Sequence, residues 1–411
     1  MRPEPESMMN GEAPAHLRPH GSSQGGVRQY NERVVLQAIR QHGALPGAEI
    51  ARLTRLTAQT VSLITKRLLD DGLLVKGEPV RGKVGQPSVP LALNPEGAYS
   101  IGIKVGRRSM DMLLLDFTGQ VCERSSLAYD FPDPDALLVE IEQRLRAFRK
   151  TLGPARRERL QGIGIAAPLS LGGWQKLLGV DPAVADKWNH VNLSARVEKL
   201  SGLPVSFVKD TAAACVAELV AGGGRSVRSF LYIFVDTFIG GGLVIDSHLR
   251  SGLHGNAGAV GSLPLGLAEG RREPAQLLSV ASLLNLETLY AEAGLETGAV
   301  VDDRALQPPW RRHTDAWLKE ACAAIALTIN TAACLLDLDG VIIDGSFGRS
   351  LLDALLAKLA EAMNRYNWEG VARPALRPGT IGSDARALGG ALLPLYDNFA
   401  PDRDLFLKLE R

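Results

Sequence analysis

The clearest hydrophobic pattern in the chain lies near its beginning, between residues 53 and 74. The apolar residues that recur there at spacings of three and four are Val61, Ile64, Leu68 and Leu69. Such spacing places one apolar stripe along a helix. Thr57 can cap this helix, because its hydroxyl can accept a hydrogen bond from a first-turn N–H, and Gly72 can end it. The pattern predicts a helix over residues 58–69 with one face against a core.

The opposite face of this helix carries hydrogen-bond donors and no carboxylate: Gln59, Thr60, Ser62, Lys66 and Arg67. Two earlier helices are predicted over residues 31–42 and 48–54, and a tight turn follows at Arg55 and Leu56. Two helices joined by such a turn, the second with a polar cationic face, are typical of a DNA-binding helix-turn-helix. A helical hairpin whose charges are simply solvated is the alternative.

Two short strands are predicted after this helix, over residues 73–77 and 89–93, around a basic loop rich in glycine. Arg81 and Lys83 in the loop can reach a phosphate or the narrow minor groove. The segment 28–95 is therefore predicted to be a winged helix-turn-helix domain, with a solvated hairpin as the alternative to the wing.

Charge separates this segment from the remainder of the chain. Residues 28–95 hold ten Lys/Arg and five Asp/Glu, whereas residues 96–411 hold 34 Lys/Arg and 37 Asp/Glu. Basic charge attracts phosphate backbones, so double-stranded DNA is the expected partner. Residues 1–27 are rich in Pro, Gly, Ser and Glu without periodicity, which predicts a disordered tail.

From residue 99 onward, apolar strands alternate with amphipathic helices. Strands are predicted over residues 100–105, 112–116, 121–129, 160–166, 204–208, 230–235, 239–245 and 340–343. Helices are predicted over residues 134–152, 211–220 and 317–336. This alternation predicts an α/β fold for residues 96–411, with two lobes and a cleft between them.

Composition excludes several classes of protein. No apolar run is long enough to cross a bilayer, and the N-terminus lacks the apolar core of a signal peptide, so a cytoplasmic protein without membrane contact is expected. The cysteines form no Cys-x-x-Cys pair, so neither a disulfide framework nor a zinc ribbon is indicated. Each is predicted to be a small buried residue: Cys122, Cys215, Cys322 and Cys334.

Several stretches occur together in a characteristic order: LTAQTVSLITKRLLDDGLL, GQP, IGIKVGRRSMDMLLLDFTGQV, IGIAAP, LPVSFVKDTAAACVAEL, IGGGLVIDSHLRSGLHGNAGAVG and LDGVIIDGS. On these stretches the chain, over about residues 30 to 400, resembles the transcription-factor branch of the ROK family (repressors, open reading frames and sugar kinases). The resemblance implies an actin-like, hexokinase-like body with two lobes, a homodimer or homotetramer, and repression of carbohydrate-related genes under a sugar-type effector.

The chain departs from the kinase members at the phosphate-binding loops. Their Asp-x-Gly-Gly-Thr motif reads Lys104 to Arg108 here, so the Asp is a Lys and the Thr is an Arg. Their second loop reads Asp236-Thr237-Phe238, whose carboxylate and phenyl ring are expected to repel or block a γ-phosphate. No cofactor, no catalytic residue and no enzyme activity are therefore expected. A sugar kinase with an appended DNA-binding domain is the alternative.

The sugar-binding residues of the family are altered as well. The family's Asn-Asp pair reads Lys209-Asp210, and its Gly-Glu-x-Gly-His ends at Ser262 in place of the His. The residues expected to contact an effector are Lys209, Asp210, Asn256 and Ser262. A sugar, an acidic sugar derivative drawn to Lys209 and Lys104, and no effector at all remain open. Neutralisation of Asp210 and Asp236 by the two lysines is the alternative to an anionic ligand. The family's zinc site needs three cysteines after the His, and residues 263–282 contain none, so no metal is expected.

DNA contacts are assigned by position in the helix. Gln59 and Thr60 lie early in it and are the expected base readers, Gln being suited to adenine. The residues expected to hold phosphates are Thr57, Ser62, Lys66 and Arg67. Arg81, Lys83 and Gln86 complete the set, with Gln86 replacing the Arg that the resemblance places in the minor groove.

Overall fold

The computed structural model describes residues 24–79, 88–173, 178–268 and 273–401. Its first elements are three helices and a small antiparallel sheet with strand order β1-β3-β2. Their bounds are α1 Gln24–His42, β1 Leu45–Pro46, α2 Gly47–Thr54, α3 Ala58–Asp70, β2 Leu74–Lys76 and β3 Pro90–Leu93. Helix α1 thus begins inside the segment that the composition predicts to be a disordered tail.

Helix α3 confirms the helix predicted over residues 58–69. The Thr57 hydroxyl accepts a hydrogen bond from the Thr60 N–H over 3.2 Å, which satisfies one free donor of the first turn. Val61, Ile64 and Leu68 of the predicted apolar stripe are buried, and Leu69 is half-buried. Gly72 follows the helix at φ 71°, a left-handed conformation that favours glycine.

The first lobe is a five-stranded sheet with strand order β6-β5-β4-β7-β8. Strands β4, β7 and β8 run parallel, while β5 and β6 continue the sheet as an antiparallel meander. The strands are β4 Tyr99–Val105, β5 Ser109–Asp116, β6 Val121–Ala128, β7 Leu160–Ala167 and β8 Val205–Lys209. The helices are α4 Pro134–Arg157, α5 Pro182–Asp186, α6 Leu193–Ser201 and α7 Asp210–Ala221.

The second lobe is another five-stranded sheet, with strand order β11-β10-β9-β12-β13. Its strands are β9 Phe230–Val235, β10 Gly240–Ile245, β11 His248–Arg250, β12 Gly340–Gly345 and β13 Ala375–Pro378. Its helices are α8 Leu278–Ala281, α9 Leu283–Glu292, α10 Arg311–Leu336 and α11 Arg349–Met363, and a last helix, α12 Ala385–Phe399, returns to the first lobe. The α/β fold with two lobes that the sequence predicts is confirmed.

Helices α7 and α12 pack against each other between the two sheets. Their axes approach so closely that a Cβ atom on Gly389 would lie 1.8 Å from the carbonyl oxygen of Ala213. A side chain at this position would force the helices apart, so glycine is required there. The end of α12 reaches the N-terminal elements, where Leu395 shares one core with Ile50 and Ile64.

The same contact is reinforced by two arginines. The Arg40 guanidinium of α1 donates to the Phe117 carbonyl oxygen over 3.1 Å and lies 5.4 Å from the Tyr396 ring centroid. Arg159, before β7, donates to the Gly97 carbonyl oxygen over 3.0 Å and abuts Gly72 at the end of α3. The N-terminal elements are therefore packed on the first lobe and on α12.

The structure bears on two of the sequence expectations. Helix α10 is long and apolar enough to cross a membrane by length and composition, although half of its most apolar stretch is buried, as in the core helix of a lobe. Cys215 and Cys322 are buried, but Cys122 and Cys334 are exposed. Cys122 lies on the edge strand β6, and Cys334 lies near the end of α10, where fewer neighbours cover a side chain.

Candidate DNA-binding face and effector cleft

The outer face of α3 presents one stripe of exposed side chains. Gln59, Ser62, Leu63 and Lys66 are all exposed, at the spacings that align residues along one side of a helix. Leu63 is 60% exposed, which is unusual for a leucine beside a buried stripe. Hydropathy alone assigns this residue to the core, so its place on the outer face was missed. Leu63 follows Val61 by two residues and therefore lies off the buried stripe. Only this position in the helix indicates that its side chain is exposed.

Three other predicted DNA-contacting residues of this segment are engaged within the protein. The hydroxyl oxygens of Thr57 and Thr60 lie 2.8 Å apart in a mutual hydrogen bond. Arg67 Nη1 lies 2.5 Å from Glu32 Oε1 of α1, so its charge is neutralised within the protein. This ion pair argues against the prediction that Arg67 holds a phosphate, because its donor already has an acidic partner from a neighbouring helix. Arg81, Lys83 and Gln86 lie outside the described residues.

A cleft lies between the two lobes, at the ends of β4, β8 and β9. Its volume is about 640 Å³, within the usual range for a small-molecule pocket. The structure brings all four predicted effector-contacting residues to its walls: Lys209, Asp210, Asn256 and Ser262. Asp210 begins α7 and accepts the Thr211 N–H over 2.8 Å with one carboxylate oxygen.

Lys104 occupies the position of the kinase Asp and is turned inward. Its side chain is 4% exposed, and its Nζ donates to Asp111 Oδ2 over 3.0 Å and to Ser109 Oγ over 2.5 Å. Burial and the neighbouring Arg386 lower the Lys104 pKa, and Asp111 opposes that shift. The expectation that Lys104 attracts an anionic ligand is corrected, because its ammonium group is already satisfied.

Asp236 is likewise neutralised inside the protein. It forms an ion pair with Arg386 of α12, whose side chain is 7% exposed. Burial alone raises the pKa of Asp236, but Arg386 and Lys104 outweigh burial and hold that pKa below its ordinary value. The expected repulsion of a phosphate by Asp236 is therefore corrected, since Arg386 offsets its charge. Steric obstruction by Phe238 does not depend on that charge.

Two further contacts cross the mouth of the cleft. Arg108, after β4, forms an ion pair with Glu287 of α9 in the second lobe. The Arg107 guanidinium carbon lies 5.0 Å from the ring centroid of Phe238, also in the second lobe. Sequence reasoning did not single out Arg107 as a ligand contact. The signal in the sequence was this arginine at the fourth position of the Asp-x-Gly-Gly-Thr motif, where the kinase members have glycine.

Helix α12 connects the cleft to the N-terminal elements. Near its start, Arg386 lies in the cleft wall, and Asp384, just before it, forms a forked ion pair with Arg124 of β6. Near its end, the Phe399 ring centroid lies 4.8 Å from that of Phe117, which shares a core with α3. Helix α12 thus lines the cleft at its start and contacts the core behind α3 near its end.

Two mixed sheets around packed helices, with a ligand-sized cleft between them, define an actin-like body of the kinase type. A model of the ROK family matches residues 100–395, and the chain belongs to the ROK family.

Individual relatives agree with this assignment. The xylose repressor of Bacillus subtilis (strain 168) is 23% identical over 239 residues, covering 58% of this chain and 61% of the relative. The chain thus aligns with about three-fifths of the length of that curated relative. A solved ROK family transcriptional regulator, described as a homologue of the E. coli Mlc protein, superposes with a TM-score of 0.67 at 22% identity, covering 91% of this chain and 98% of that chain.

A ROK hexokinase from Thermus thermophilus superposes with a TM-score of 0.54 at 22% identity, covering 72% of this chain and 97% of that one. At such identities the two structural likenesses establish the fold alone. They do not distinguish a regulator from a kinase, so that question depends on the residues of the two sites.

Proposed function

We propose that this protein is a DNA-binding transcriptional regulator of the repressor type, and that its ROK body senses an effector and has no kinase activity. Residues 28–95 form a winged helix-turn-helix in this proposal, and α3 enters the major groove of a DNA operator. The relatives named as repressors support it. The observation that carries it is the exposed stripe of α3, which presents Gln59, Leu63 and Lys66 ahead of its first acidic residue, Asp70, at the end of the helix.

The chemistry of this stripe suits base and phosphate contacts. A glutamine amide can bond to both N6 and N7 of adenine, and an exposed leucine can pack on a thymine methyl group. Lys66 lies one helical turn beyond Ser62, where it can neutralise a phosphate. The antiparallel pair β2 and β3 flanks the basic loop, as the strands of a wing do. A homodimer or homotetramer in the cytoplasm places two such helices on an operator with two half-sites.

The absence of kinase activity is inferred from the cleft. Two interlobe contacts, Arg108 with Glu287 and Arg107 with Phe238, occupy the side where the kinase members bind phosphate. The loop that holds nucleotide phosphate in kinases does so with exposed backbone N–H groups. Here the Gly106 N–H already donates to the Ser109 carbonyl oxygen over 2.9 Å.

A sugar kinase is the second candidate, because Asp210 keeps the position of the family's general base in the cleft wall. ATP-dependent phosphorylation of a hexose by the pure protein, lost in Asp210→Asn, would establish it. We expect no phosphorylation above the rate of a blank without protein.

Effector control needs a physical route from the cleft to the DNA-binding face, and α12 offers one. A ligand that moves Arg386 moves the start of a helix whose other end packs against α1 and α3. Such a ligand changes DNA affinity only if α12 has two positions and the ligand binds the protein more tightly in one of them.

The proposal is tested by selecting duplexes from a random DNA pool with the full chain. We expect enrichment of a sequence with two related half-sites, and loss of that enrichment in Gln59→Ala. Lys199→Ala is a matched control, because Lys199 is an exposed lysine of the body on α6, away from α3. No enrichment by the wild-type chain, or the same enriched sequence with Gln59→Ala, would overturn the proposal.

A further inference from the structure

Six cationic side chains lie on the walls of the cleft, and most of them have an acidic partner. The four ion pairs are Lys104 with Asp111, Arg108 with Glu287, Arg124 with Asp384 and Arg386 with Asp236. Among the described residues, Arg107 and Lys209 are the two cations of the cleft without an ion pair. The other four cations are neutralised, so Arg107 and Lys209 share the remaining carboxylate of the cleft, Asp210, and one positive charge is left in excess.

Arg107 is only partly satisfied by the protein. Its Nη2 donates to the Ser170 carbonyl oxygen over 3.1 Å, and its guanidinium group rests on the Phe238 ring. Its Nε is buried and has no hydrogen-bond partner among the described residues. A buried donor without a partner is unfavourable, and the arginine fork binds carboxylate and phosphate oxygens well. The guanidinium group is held in place on two sides, and its Nη1, which is not among the buried atoms, makes no hydrogen bond to a described residue and is left for a ligand.

Lys209 ends strand β8 immediately before Asp210. Burial lowers the pKa of Lys209, and the charge of Asp210 opposes that shift. No hydrogen bond from its ammonium group to another described residue is found, in contrast with Lys104. A partly buried ammonium group without an acceptor is stabilised when an anion binds beside it.

Asp210 lies within electrostatic range of both Arg107 and Lys209. One of its oxygens accepts the Thr211 N–H, and a carboxylate has capacity for further donors. Its negative charge disfavours a bare polyanion but suits a hydroxyl group. Two unpaired cations beside a hydroxyl acceptor therefore match a ligand that has an acid group and hydroxyl groups in one small molecule.

We infer that the cleft binds a monosaccharide bearing one anionic group, a carboxylate or a phosphate, with the anion between Arg107 and Lys209 and a ring hydroxyl on Asp210. The inference rests on the proposed function, because such a ligand is the effector of the regulator. A nucleotide is not the occupant, since the contacts of Arg108 and Phe238 cross the side of the cleft that its phosphates need.

The test uses the full chain without DNA and measures binding by calorimetry. The probes are D-glucuronate, D-galacturonate, glucose 6-phosphate and galactose 6-phosphate, each compared with its neutral parent sugar. At least one acid is expected to bind about tenfold more tightly than its parent, since charge-assisted hydrogen bonds exceed neutral ones in strength. Preference for the carboxylate or the phosphate series identifies the anion.

Variants then locate the anion. Arg107→Gln and Lys209→Gln are expected to weaken the acid about tenfold while leaving the weak affinity for the neutral parent unchanged. Arg124→Gln is the matched control, because Arg124 lies on the same cleft wall but is already paired with Asp384. Circular dichroism confirms that each variant is folded, and Arg107→Lys, which keeps the charge, should restore part of the affinity.

The inference is overturned if no anionic sugar binds, or if a neutral parent binds as tightly as its acid. It is also overturned if Arg124→Gln weakens binding of the acid as much as Arg107→Gln does. Acetate or inorganic phosphate binding as tightly as the sugar acid would also overturn it, because the hydroxyl contact would then contribute nothing. If the chain binds a sugar acid but selects no DNA sequence, the anion site is supported and the proposed function is rejected. If the chain selects a DNA sequence but binds no sugar acid, the proposed function is supported and the anion site is rejected.

Discussion

The outer face of α3 and the interlobe cleft both carry positive charge, but they carry it differently. On α3 the cation Lys66 is exposed beside Ser62 and forms no ion pair with the described residues, although Asp70 lies one turn further along the same face. In the cleft four cations are held by carboxylates, and two of those pairs, at Lys104 and Arg386, have nearly buried cations. An exposed lysine costs little to keep, whereas a buried one needs a partner.

The difference indicates what each surface can bind. Exposed charge on a helix suits an extended polyanion, because phosphates of a duplex lie at regular intervals and release counterions when they are neutralised. A largely neutralised cleft with two unpaired cations suits a single small anion. The comparison therefore separates affinity for DNA from affinity for an effector, and the expected effects below test that separation.

The largest expected effect is on stability. Asp236→Asn leaves Arg386 buried without its counter-charge, and we expect the free energy of unfolding to fall by about 3 to 5 kcal/mol. The change is measured by chemical denaturation, with one common dependence of the unfolding free energy on denaturant concentration for all variants. Asp246→Asn is the control, because it breaks an exposed pair with Arg228, and such pairs contribute about 0 to 1 kcal/mol. Equal effects of the two variants would show that the cleft pair is not buried in solution.

The contribution of Asp236 also sets an expected pH dependence. Its pKa is lowered in the folded protein, so the unfolded chain binds the proton more tightly. The stabilisation is present above the ordinary Asp pKa of about 3.9 and is lost as the pH falls through the lower pKa of the folded state. Asp236→Asn should therefore flatten the acid side of the stability profile below the ordinary Asp pKa of about 3.9. An unchanged acid profile would contradict this account.

The next effect concerns base recognition on α3. Gln59→Ala and Leu63→Ala should each cost about 1 to 3 kcal/mol of binding to the selected operator and relax the preference at one base position. Competition titrations against duplexes mutated at single positions measure this. If Leu63→Ala keeps the full preference at every A·T position, the leucine does not contact a base.

Lys66→Ala should act differently from these two variants. A phosphate contact contributes equally on all sequences, so affinity should fall for specific and non-specific duplexes alike. The slope of log affinity against log salt should become shallower by about one. A slope equal to that of the wild-type chain would remove Lys66 from the interface.

In the cleft, Lys209→Met should stabilise the protein without ligand at neutral pH by less than about 1 kcal/mol, because the ammonium group loses part of its hydration on folding without gaining an ion pair. Because the Lys209 pKa is lowered on folding, stability of the wild-type chain rises with pH toward the ordinary Lys pKa of about 10.4. The advantage of the variant should therefore shrink over that range in thermal unfolding. A destabilised variant at pH 7 would mean that Lys209 is satisfied in solution.

The smallest effect is expected at Arg67. Because Glu32 already holds its guanidinium group, Arg67→Ala should change DNA affinity by less than about 0.5 kcal/mol, well below Lys66→Ala. The same titrations as for Lys66 measure it. A loss as large as that of Lys66→Ala would mean that DNA displaces Glu32.

Local patterns account for what the sequence could predict. The cap at Thr57, the apolar stripe ending at Leu68 and the glycine at 72 lie within one helix and its ends, so α3 could be predicted almost to the residue. Helix α12 could not, because Gly389, Gly390 and Pro394 disfavour a helix and are tolerated only by close packing.

The residues of the cleft also differ in how well the sequence could predict them. Lys209 and Asp210 follow a strand that could be predicted, so their place at the cleft follows from the fold. The pairing of Asp236 with Arg386 and of Arg108 with Glu287 joins residues far apart in the chain, and no sequence period encodes it. For this reason Lys104 was expected to attract a ligand, and Arg107 was not considered.

The separation of the two surfaces is tested most directly by fluorescence anisotropy with one operator duplex, no effector, and two double variants of the full chain. Gln59→Ala with Lys66→Ala should lose both affinity and sequence preference, while Arg107→Gln with Lys209→Gln should bind the duplex as the wild-type chain does. Operator binding that survives the first double variant, or that fails equally in the second, would contradict the assignment of DNA to α3 and of the small anion to the cleft.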